Sequence, residues 1–414
     1  MRRPGALVLG GDYRGLGIVR SLGRHGIAVW VVHGQDRIAC ASRYARRSVR
    51  RPAGSEDDQV AHLLLLATEE GLDRCVLFPT DEETAWIVSR HHDELASHYR
   101  FTTSPWKRHQ LAADKQLAHR CADALDLDVP RTWFPSSRSD VEALDVDFPV
   151  IIKPAVRLAF NSLTHAKAWR VDDRAALIER YDAAAGMVGS DDVLVQELIP
   201  GGGEHQLSFA AACRDGEPVV YATARRTRQY PVDFGRASTF VETVDRPDVL
   251  KPAFRLLEEL RLDGLVEVEL KEDPRDGRLK ILDVNARAWG WHSIGAAAGA
   301  DFAWAAWRIA LDLPVRPSVG RPGVRWVRLA IDLPISVREI LAGRLSLRAY
   351  LRSLRPPLTG PMAALDDPLP ALLDLPLMVF RGLKRVLRSV PTARSSSPSG
   401  SITVRRPTRG RPES

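Results

Sequence analysis

The sequence predicts an α/β protein, α+β in part, with a parallel sheet near its N-terminus. Over the first hundred residues, short apolar segments typical of buried strands alternate with helix-like segments, an order that predicts a parallel sheet with helices on its faces. Two later segments, 207–229 and 264–287, each have the pattern of a β-hairpin that turns at an Asp-Gly pair. The chain has 414 residues, 45% of them apolar, which suffices for two or three domains.

The predicted elements of the N-terminal sheet follow one another closely. Strands are predicted at 6–10, 27–32 and 75–80, and the helices between them stop at Gly26 and Gly71. The first apolar segment is short and leads into a glycine turn, so it indicates a strand rather than a signal peptide.

Helices and strands are mixed in the middle of the chain. The predicted elements are a helix at 114–127, an extended segment at 129–134, a strand at 148–154, a strand running into a glycine turn at 193–204, and a helix near 249–260. No window holds 18 uninterrupted apolar residues, so no membrane-spanning helix is expected.

Cysteine usage and charge exclude several classes of protein. Cys40, Cys75, Cys121 and Cys213 form no CxxC pair and show no zinc spacing, so we expect reduced thiols in a cytoplasmic protein. The net charge is +7, but residues 381–414 alone carry +8. The folded body therefore gives no indication of specific nucleic-acid binding.

The C-terminal segment differs in composition from the rest. Beyond about residue 388 the chain is rich in Ser, Pro and Arg, and we expect it to be disordered. Residues 377–388 alternate apolar and basic side chains at helical spacing. Two interpretations stay open: peripheral contact of 377–414 with an anionic membrane, or a C-terminal helix packed on the body.

The hairpin at 264–287 carries the most informative pattern. Strand alternation puts Glu267 and Glu269 on one face, and Asp283 and Asn285 on one face of the returning strand. A turn centred near residue 276 would set Glu269 opposite Asp283 and Glu267 opposite Asn285. A solvated polar face is the alternative, but the strands are otherwise apolar. We therefore predict a site for Mg²⁺, which prefers oxygen ligands, with Arg287 beside it to neutralise a phosphate or carboxylate.

Three segments together resemble the ATP-grasp superfamily. ILDVNAR resembles its acidic-x-Asn-x-Arg signature, FPVIIKP its central strand with the nucleotide-binding lysine, and LVQELIPGGGE the hinge between the two halves that clamp ATP. The order and spacing of these segments are similar to those of the superfamily over roughly residues 100–312. The segment ARRTRQYPVDFGRASTFVET resembles a group of carboxylate–amine (or thiol) ligases related to D-aspartate ligases and to the carbamoyl-phosphate synthetase large subunit.

The resemblance implies an ATP-grasp fold with an N-terminal parallel-sheet pre-ATP-grasp domain. The implied divisions are a Rossmann-like pre-ATP-grasp domain at 1–105, an ATP-grasp domain at 106–315 (lid subdomain about 130–200, metal-binding subdomain about 201–315), a C-terminal extension with helices at 316–388, and a disordered basic tail at 389–414.

The resemblance also implies roles for individual residues. For ATP they are Lys115 and Lys153 at the phosphates, Gln196, Glu197, Leu198 and Ile199 at the adenine, and Glu204 at the ribose. For Mg²⁺ (or Mn²⁺) they are Glu269, Asp283 and Asn285. For catalysis they are Arg287, which would steady the transferred phosphoryl group, and Arg226 and Arg228. Which of Arg225, Arg226 and Arg228 faces the active site stays open.

The sequence departs from the family's pattern in two places. The second metal carboxylate is Asp283, where Glu is common in the family. The loop after Lys153 lacks a glycine-rich phosphate flap, and Asn161 and Lys167 are candidates there, with an ordinary surface loop as the alternative. Trp289, Trp291 and His292 follow the metal strand and could line a substrate pocket, but core packing is also expected.

The glycine turn after the first strand invites a dinucleotide-binding interpretation. Its glycines read GGxxxGxG rather than GxGxxG, and His33 stands where an acidic residue would close the second strand. We expect Gly10–Gly17 to be structural, with binding of an acidic substrate as the alternative.

The predicted function is ATP-dependent ligation. A carboxylate would be activated as an acyl phosphate and attacked by an amine, with release of ADP and phosphate. The expected partners are therefore a small carboxylate and a small amine, and a homo-oligomer is possible. The alternatives are a nicotinamide-dependent oxidoreductase that uses the N-terminal sheet, and a non-catalytic nucleotide-binding protein.

Overall fold

The computed structural model of this protein describes residues 3–154, 168–232, 235 and 237–378. Residues 1–374 form one compact unit, and the described part of the second unit, 375–378, is helical. The candidates Asn161 and Lys167, and the segment from 379 to the C-terminus, lie outside the described residues.

The N-terminal sheet is parallel, as predicted, and its strand order is β3-β2-β1-β4-β5. Its strands are β1 (Ala6–Leu9), β2 (Val29–His33), β3 (Ala45–Arg50), β4 (Val76–Pro79) and β5 (Arg100–Phe101). Its helices are α1 (Tyr13–Arg24), α2 (Glu56–Glu69), α3 (Glu82–Arg90) and α4 (His92–Leu95).

Both faces of this sheet are covered because its strands are apolar on both sides. Along β1, Ala6 and Val8 belong to the core that includes α1, while Leu7 and Leu9 belong to the core that includes α2. The strands β3 and β5 were not predicted. The segment of β3, ARRSVR, is largely polar, as an edge strand can be, and β5 has only two residues.

A small antiparallel sheet follows, with strand order β6-β9-β7-β8. Its strands are β6 (Thr132–Trp133), β7 (Val150–Pro154), β8 (Trp169–Val171) and β9 (Val193–Glu197). The helices of this part of the chain are α5 (Trp106–Ala113), α6 (Lys115–Ala124), α7 (Arg138–Ala143) and α8 (Arg174–Val188). The last two residues of β9 and the four residues that follow form the segment 196–201, which is called the hinge below.

The large sheet has the strand order β14-β13-β10-β11-β12-β16-β17, and β15 pairs with β11. Its strands are β10 (Gln206–Arg214), β11 (Glu217–Tyr230), β12 (Ala237–Thr243), β13 (Gly264–Glu272), β14 (Leu279–Asn285), β15 (Ser318–Val319), β16 (Arg325–Val327) and β17 (Leu358–Thr359). The accompanying helices are α9 (Leu250–Leu260), α10 (Ile294–Ala298), α11 (Phe302–Ala310), α12 (Leu329–Leu341) and α13 (Leu347–Ser353).

Both predicted hairpins are present in the large sheet. The first, β10–β11, turns at Asp215 and Gly216, which both have positive φ angles, the backbone conformation that Asp-Gly turns favour. The region after residue 315 contributes β15, β16 and β17 as well as the expected helices. These strands have two or three residues each, too few for a readable alternation.

Candidate functional site

The hairpin β13–β14 has the predicted register. Glu269 lies opposite Asp283, and Glu267 lies opposite Asn285. The carboxylates of Glu269 and Asp283 are nearly buried, with side-chain exposures of 10% and 8%. Two acidic side chains are therefore held side by side on one face, where a cation is needed to offset their repulsion.

Each of these carboxylates already contacts a basic side chain. Arg226 Nη1 lies 2.7 Å from Glu269 Oε2, and Lys115 Nζ lies 2.9 Å from Asp283 Oδ1. Asn285 Nδ2 donates to Glu269 Oε1 at 2.9 Å. The pairing explains how the carboxylates are tolerated in a nearly buried place.

The third carboxylate, Glu267, has a supporting position. Its Oε1 accepts hydrogen bonds from Ser208 Oγ at 2.9 Å and from Trp291 Nε1 at 3.0 Å, and its Oε2 accepts one from Asn285 Nδ2 at 3.2 Å. Burial raises the pKa of this carboxyl group. Glu267 thus orients Asn285 from within the protein.

The aromatic residues after β14 are part of the core. Trp289 and Trp291 are each 1% exposed, and their rings meet edge to face. His292 Nε2 lies 2.9 Å from the backbone oxygen of Arg14, and the ring is buried. Core packing, rather than a substrate pocket, therefore accounts for all three residues.

A cavity of about 110 Å³ brings together residues predicted at separate places in the sequence. Its lining includes Lys153, Arg226, Glu269 and Asp283, together with the hinge residues 196–199. Lys153 Nζ donates to Gln196 Oε1 at 2.8 Å, which holds the lysine against the hinge. Lys115 lies at the other side of Asp283, where it lines a neighbouring small cavity.

The carboxylate of Glu197 is held by three hydrogen bonds. Its carboxylate accepts hydrogen bonds from Lys280 Nζ at 2.7 Å, from the Arg131 backbone nitrogen at 3.0 Å and from Arg275 Nη2 at 2.9 Å. Burial opposes ionisation, but these bonds hold the pKa of Glu197 below its ordinary value. The carboxylate of Glu197 is therefore committed to these three partners.

Lys271 is a site residue that the sequence reasoning missed. Its side chain is on β13 and 8% exposed, and its Nζ donates to Ile199 O at 2.8 Å and to Gly201 O at 2.7 Å. It lines the cavity with Glu269. The signal was present in the sequence, since position 271 alternates onto the same face as positions 267 and 269.

The predicted ribose contact, Glu204, lies beyond the hinge. Its side chain is 62% exposed and accepts a hydrogen bond from the Gly202 backbone nitrogen at 3.0 Å. It lines a larger cavity of about 920 Å³, which shares Leu198, Ile199 and Lys271 with the smaller one. The two cavities thus meet at the hinge.

The structure separates the two arginines that were grouped as catalytic. Arg226 is at Glu269, but Arg228 binds Asp332 of α12 through Nε at 2.9 Å and Nη2 at 2.8 Å, and its Nη1 donates to Ser353 at 3.0 Å. Its guanidinium also lies over the Phe240 ring. These contacts join β11 to the C-terminal helices, and the catalytic role of Arg228 stays a prediction.

Arg287 contacts Asn285 and Glu82, and its role at a transferred phosphoryl group stays a prediction. Its Nη2 donates to Asn285 Oδ1 at 3.3 Å and to a carboxylate oxygen of Glu82, at the start of α3. A residue of α3, beside the N-terminal sheet, therefore reaches the hairpin β13–β14.

The glycine turn after β1 is explained by close packing. A Cβ atom on Gly10 would lie 1.9 Å from Thr80 Oγ1, and one on Gly15 would lie 2.1 Å from Gly10 O. A cavity of about 170 Å³ lies beside the turn, at the carboxyl ends of β1, β2 and β4. Close packing therefore explains why positions 10 and 15 are glycines.

The donor set of the hairpin fits Mg²⁺. Among the described residues, no three His, Cys, Asp or Glu side chains cluster as a metal site. Mg²⁺, however, is commonly held by one or two carboxylates together with substrate phosphates, and Glu269, Asp283 and Asn285 offer that set of oxygen atoms.

The helices in the described part of the chain were also compared with the length and apolar composition of a membrane span, and none of them meets both requirements.

Comparisons with known proteins agree with this architecture. Residues 190–328 match the profile of a family described as "ATP-grasp in the biosynthetic pathway with Ter operon". The chain is 22% identical over 301 residues to D-aspartate ligase from Enterococcus faecium. This alignment covers 68% of this chain and 70% of the ligase.

Two solved structures are similar over most of the chain. The biotin carboxylase domain of 2-oxoglutarate carboxylase from Hydrogenobacter thermophilus, solved with MgADP, ADP and bicarbonate, has a TM-score of 0.63 at 14% identity, covering 78% of this chain and 74% of that one. The L-amino acid ligase from Bacillus licheniformis has a TM-score of 0.59 at 16% identity, covering 76% of each chain.

Proposed function

From the ATP-grasp fold, which this chain has as its sequence predicted, we propose that the protein is an ATP-dependent ligase that joins a carboxylate to an amine. The observation that carries the proposal is the cavity in which Lys153, the hinge 196–199 and the acidic pair Glu269 and Asp283 meet. Phosphates, base and metal would each find suitable partners there. Two of the similar proteins, D-aspartate ligase and L-amino acid ligase, are named as ligases of amino acids.

The reaction balances with ATP as the only activating reagent. A carboxylate oxygen attacks the γ-phosphorus, the bond to the bridging oxygen breaks, and ADP leaves. The amine nitrogen then attacks the acyl carbon and loses a proton, and phosphate leaves as the amide forms. Neither step needs an oxidant or a second nucleotide.

The side chains of this site would contribute by positioning and by charge neutralisation. Lys153 and Lys115 would bind phosphate oxygens, since the lysine ammonium is a compact charge suited to phosphate. Glu269, Asp283 and Asn285 would hold Mg²⁺, which when bound supplies further neutralisation of phosphate charge. Arg226, which contacts Glu269, and Arg287, which contacts Asn285, would supply two further positive charges at the hairpin.

The products distinguish this proposal from its alternatives. We expect incubation with MgATP, a panel of carboxylic acids and hydroxylamine as the amine to release ADP and phosphate and to form a hydroxamate. Release of AMP and pyrophosphate would contradict an acyl-phosphate route. Binding of NADH, measured by its fluorescence, without any ATP turnover would favour the oxidoreductase.

A substitution at the hairpin separates an enzyme from a non-catalytic nucleotide-binding protein. We expect Asp283→Asn to lower turnover about 100-fold or more, because an amide lacks the negative charge with which a carboxylate binds Mg²⁺. Circular dichroism checks that the variant is folded. A variant that is folded and fully active would show that Asp283 has no part in turnover.

A further inference from the structure

The helix α12 is polar on its inner side and largely apolar on its outer side. Asp332 and Ser336 are 0% and 1% exposed, whereas Leu333, Val337 and Leu341 are 45%, 45% and 84% exposed. A helix at the surface of a soluble protein normally turns its apolar residues towards the core and its polar residues towards water. The outer side of α12 therefore has the composition of a face that contacts an apolar partner.

The helix α13 has the same arrangement and is held by the same residue of the large sheet. Arg228 on β11 donates to Asp332 of α12 at 2.9 Å and 2.8 Å, and to Ser353 of α13 at 3.0 Å. Leu347 and Leu351 of α13, by contrast, are 57% and 58% exposed. The inner sides of both helices thus meet one guanidinium, and their exposed leucines lie on the outer side of this layer.

Exposed apolar side chains are concentrated in this region of the molecule. In the described part of the chain, most of the large apolar side chains that are exposed belong to residues 329–375. Single exposed leucines are normal on a soluble protein, but a concentration of them indicates a contact surface. The exposed apolar residues of α12 and α13 are called the outer face below; they are Leu329, Leu333, Val337, Leu341, Leu347 and Leu351.

Arginines accompany the outer face, and acidic side chains are scarce there. From residue 340 to residue 365 the sequence contains four arginines and no acidic residue. Arg344 pairs with Glu339 at the end of α12, while Arg348 and Arg352 of α13 are exposed. The outer face is thus apolar with a positive charge beside it, and a complementary partner supplies apolar and negative groups together.

Charge argues against two other occupants of the outer face. In a symmetric contact between two copies of the chain, the same face meets itself, so arginines would approach arginines without acidic partners. The C-terminal segment of the chain is no better suited, because residues 381–414 carry a net charge of +8. Like charges at short range repel in both cases.

We propose that the outer face docks this protein on an anionic phospholipid surface. The apolar side chains of α12 and α13 enter the boundary between headgroups and acyl chains, and Arg348 and Arg352 contact the lipid phosphate groups. None of the residues of the outer face lines the cavity assigned to the nucleotide. The docking role therefore does not depend on the proposed ligase function.

Co-sedimentation of the full chain with lipid vesicles tests this role. The probes are vesicles of phosphatidylglycerol mixed with phosphatidylcholine, and vesicles of phosphatidylcholine alone. We expect the protein to sediment with the anionic vesicles and to stay in solution with the neutral ones. Absence of sedimentation with the anionic vesicles, or equal sedimentation with both kinds, would overturn the proposal.

Apolar substitutions separate the outer face from the basic C-terminal segment. We expect the double variant Leu333→Gln/Val337→Gln to lower the partition coefficient for anionic vesicles about twentyfold, since each half-exposed side chain loses roughly half of the energy of burying an apolar residue. The matched control is Leu65→Gln/Met187→Gln, which changes side chains that are 50% and 41% exposed on α2 and α8. This control should bind like the wild type.

Charge substitutions test the contact with the lipid phosphates. We expect Arg348→Gln/Arg352→Gln to lower the partition coefficient for anionic vesicles about tenfold, because each arginine near a charged membrane contributes to the attraction. The control Arg46→Gln/Arg50→Gln removes the same number of charges from exposed positions of β3 and should have a much smaller effect. Equal losses in the two variants would show that only the net charge matters, and would overturn the assignment of α13.

The remaining outcomes are also decisive. If circular dichroism shows that Leu333→Gln/Val337→Gln is unfolded, Leu347→Gln/Leu351→Gln on α13 replaces it, with the same expected loss. Folded variants of the outer face that bind as tightly as the wild type would assign vesicle binding to the C-terminal segment and overturn the proposal. A wild-type dimer that ignores vesicles and that these substitutions dissociate, measured by analytical ultracentrifugation, would show that a second copy covers the face.

Discussion

At the scale of the residue, the candidate site consists of charges that are already paired. Glu269 contacts Arg226, and Asp283 contacts Lys115. A nucleotide with its metal would exchange these partners, because phosphate oxygens attract the basic side chains while the metal takes the carboxylates. The site is therefore near charge balance before any ligand arrives, which limits the cost of holding acidic side chains in a nearly buried place.

The buried residue His109 is expected to make the free energy of unfolding depend on pH. Its pKa is about 4 in the folded protein, because of burial and the charge of Arg287, against an ordinary 6.5. Between these values the unfolded chain binds a proton that the folded protein does not, so the free energy of unfolding falls as the pH drops from 6.5 towards 4. We expect His109→Gln to reduce the loss of stability between pH 7 and 4.5 by about 2 kcal/mol, measured by urea unfolding.

A histidine elsewhere on the protein is the control for this measurement. His98 is partly exposed and lies near Asp73, and His98→Gln makes the same substitution away from the buried site. Equal slopes for the wild type and His109→Gln would contradict the assignment to His109.

At the scale of the element, the hinge 196–201 is held by two lysines. Lys271 on β13 holds the carbonyl groups of Ile199 and Gly201. Lys280 on β14 donates from its Nζ to the carboxylate of Glu197 at 2.7 Å. Both lysines come from the hairpin that carries the acidic pair. The segment proposed to bind the nucleobase and the hairpin proposed to bind Mg²⁺ are therefore joined directly.

We expect Lys271→Met to raise the KM for MgATP about tenfold, because the hinge loses two hydrogen bonds from a charged donor. Methionine keeps much of the length of the side chain, so packing is largely preserved. The measurement is initial-rate kinetics with the acid and amine held at saturation. Lys251→Met, which changes an exposed lysine of α9, is the control. An unchanged KM for MgATP in Lys271→Met would show that these bonds do not support nucleotide binding.

At the scale of the whole molecule, the C-terminal region returns to the N-terminal sheet. The carboxylate of Asp367 is 1% exposed and accepts hydrogen bonds from Arg20 Nε on α1 at 2.8 Å and from Ser42 Oγ at 2.7 Å. Arg20 also donates to the carbonyl groups of Pro361 and Met362. The segment 361–367 is thus anchored on α1, on the same sheet that supplies Glu82.

We expect Asp367→Asn to lower the free energy of unfolding by about 3 kcal/mol, because it leaves the buried charge of Arg20 without its partner. The neighbouring Asp366 pairs with Arg24 at the surface, where both side chains are more than 40% exposed. Asp366→Asn should therefore cost less than about 1 kcal/mol. Urea unfolding of both variants checks the difference, and equal losses would show that the anchor does not depend on burial.

The sequence by itself determined the local features of this protein. The pairing of Glu269 with Asp283 was predicted from an alternation of period two and a turn near Asp276 and Gly277, and a bulge next to Glu269 contributes to it in the structure. The parallel sheet follows from the alternation of strands and helices, and the order of lysines, hinge and acidic strand indicated the ATP-grasp fold. Each of these inferences uses residues that are near in sequence or a pattern that repeats along it.

Only the tertiary structure decided which distant side chains meet. Arg226 and Arg228 are two residues apart, yet one reaches Glu269 and the other reaches Asp332, because bulges in β11 change the register between them. Glu82 and Arg287 are 205 residues apart, and no local pattern connects them. Such contacts depend on how layers pack against one another, and packing is a property of the folded chain that propensity and periodicity do not encode.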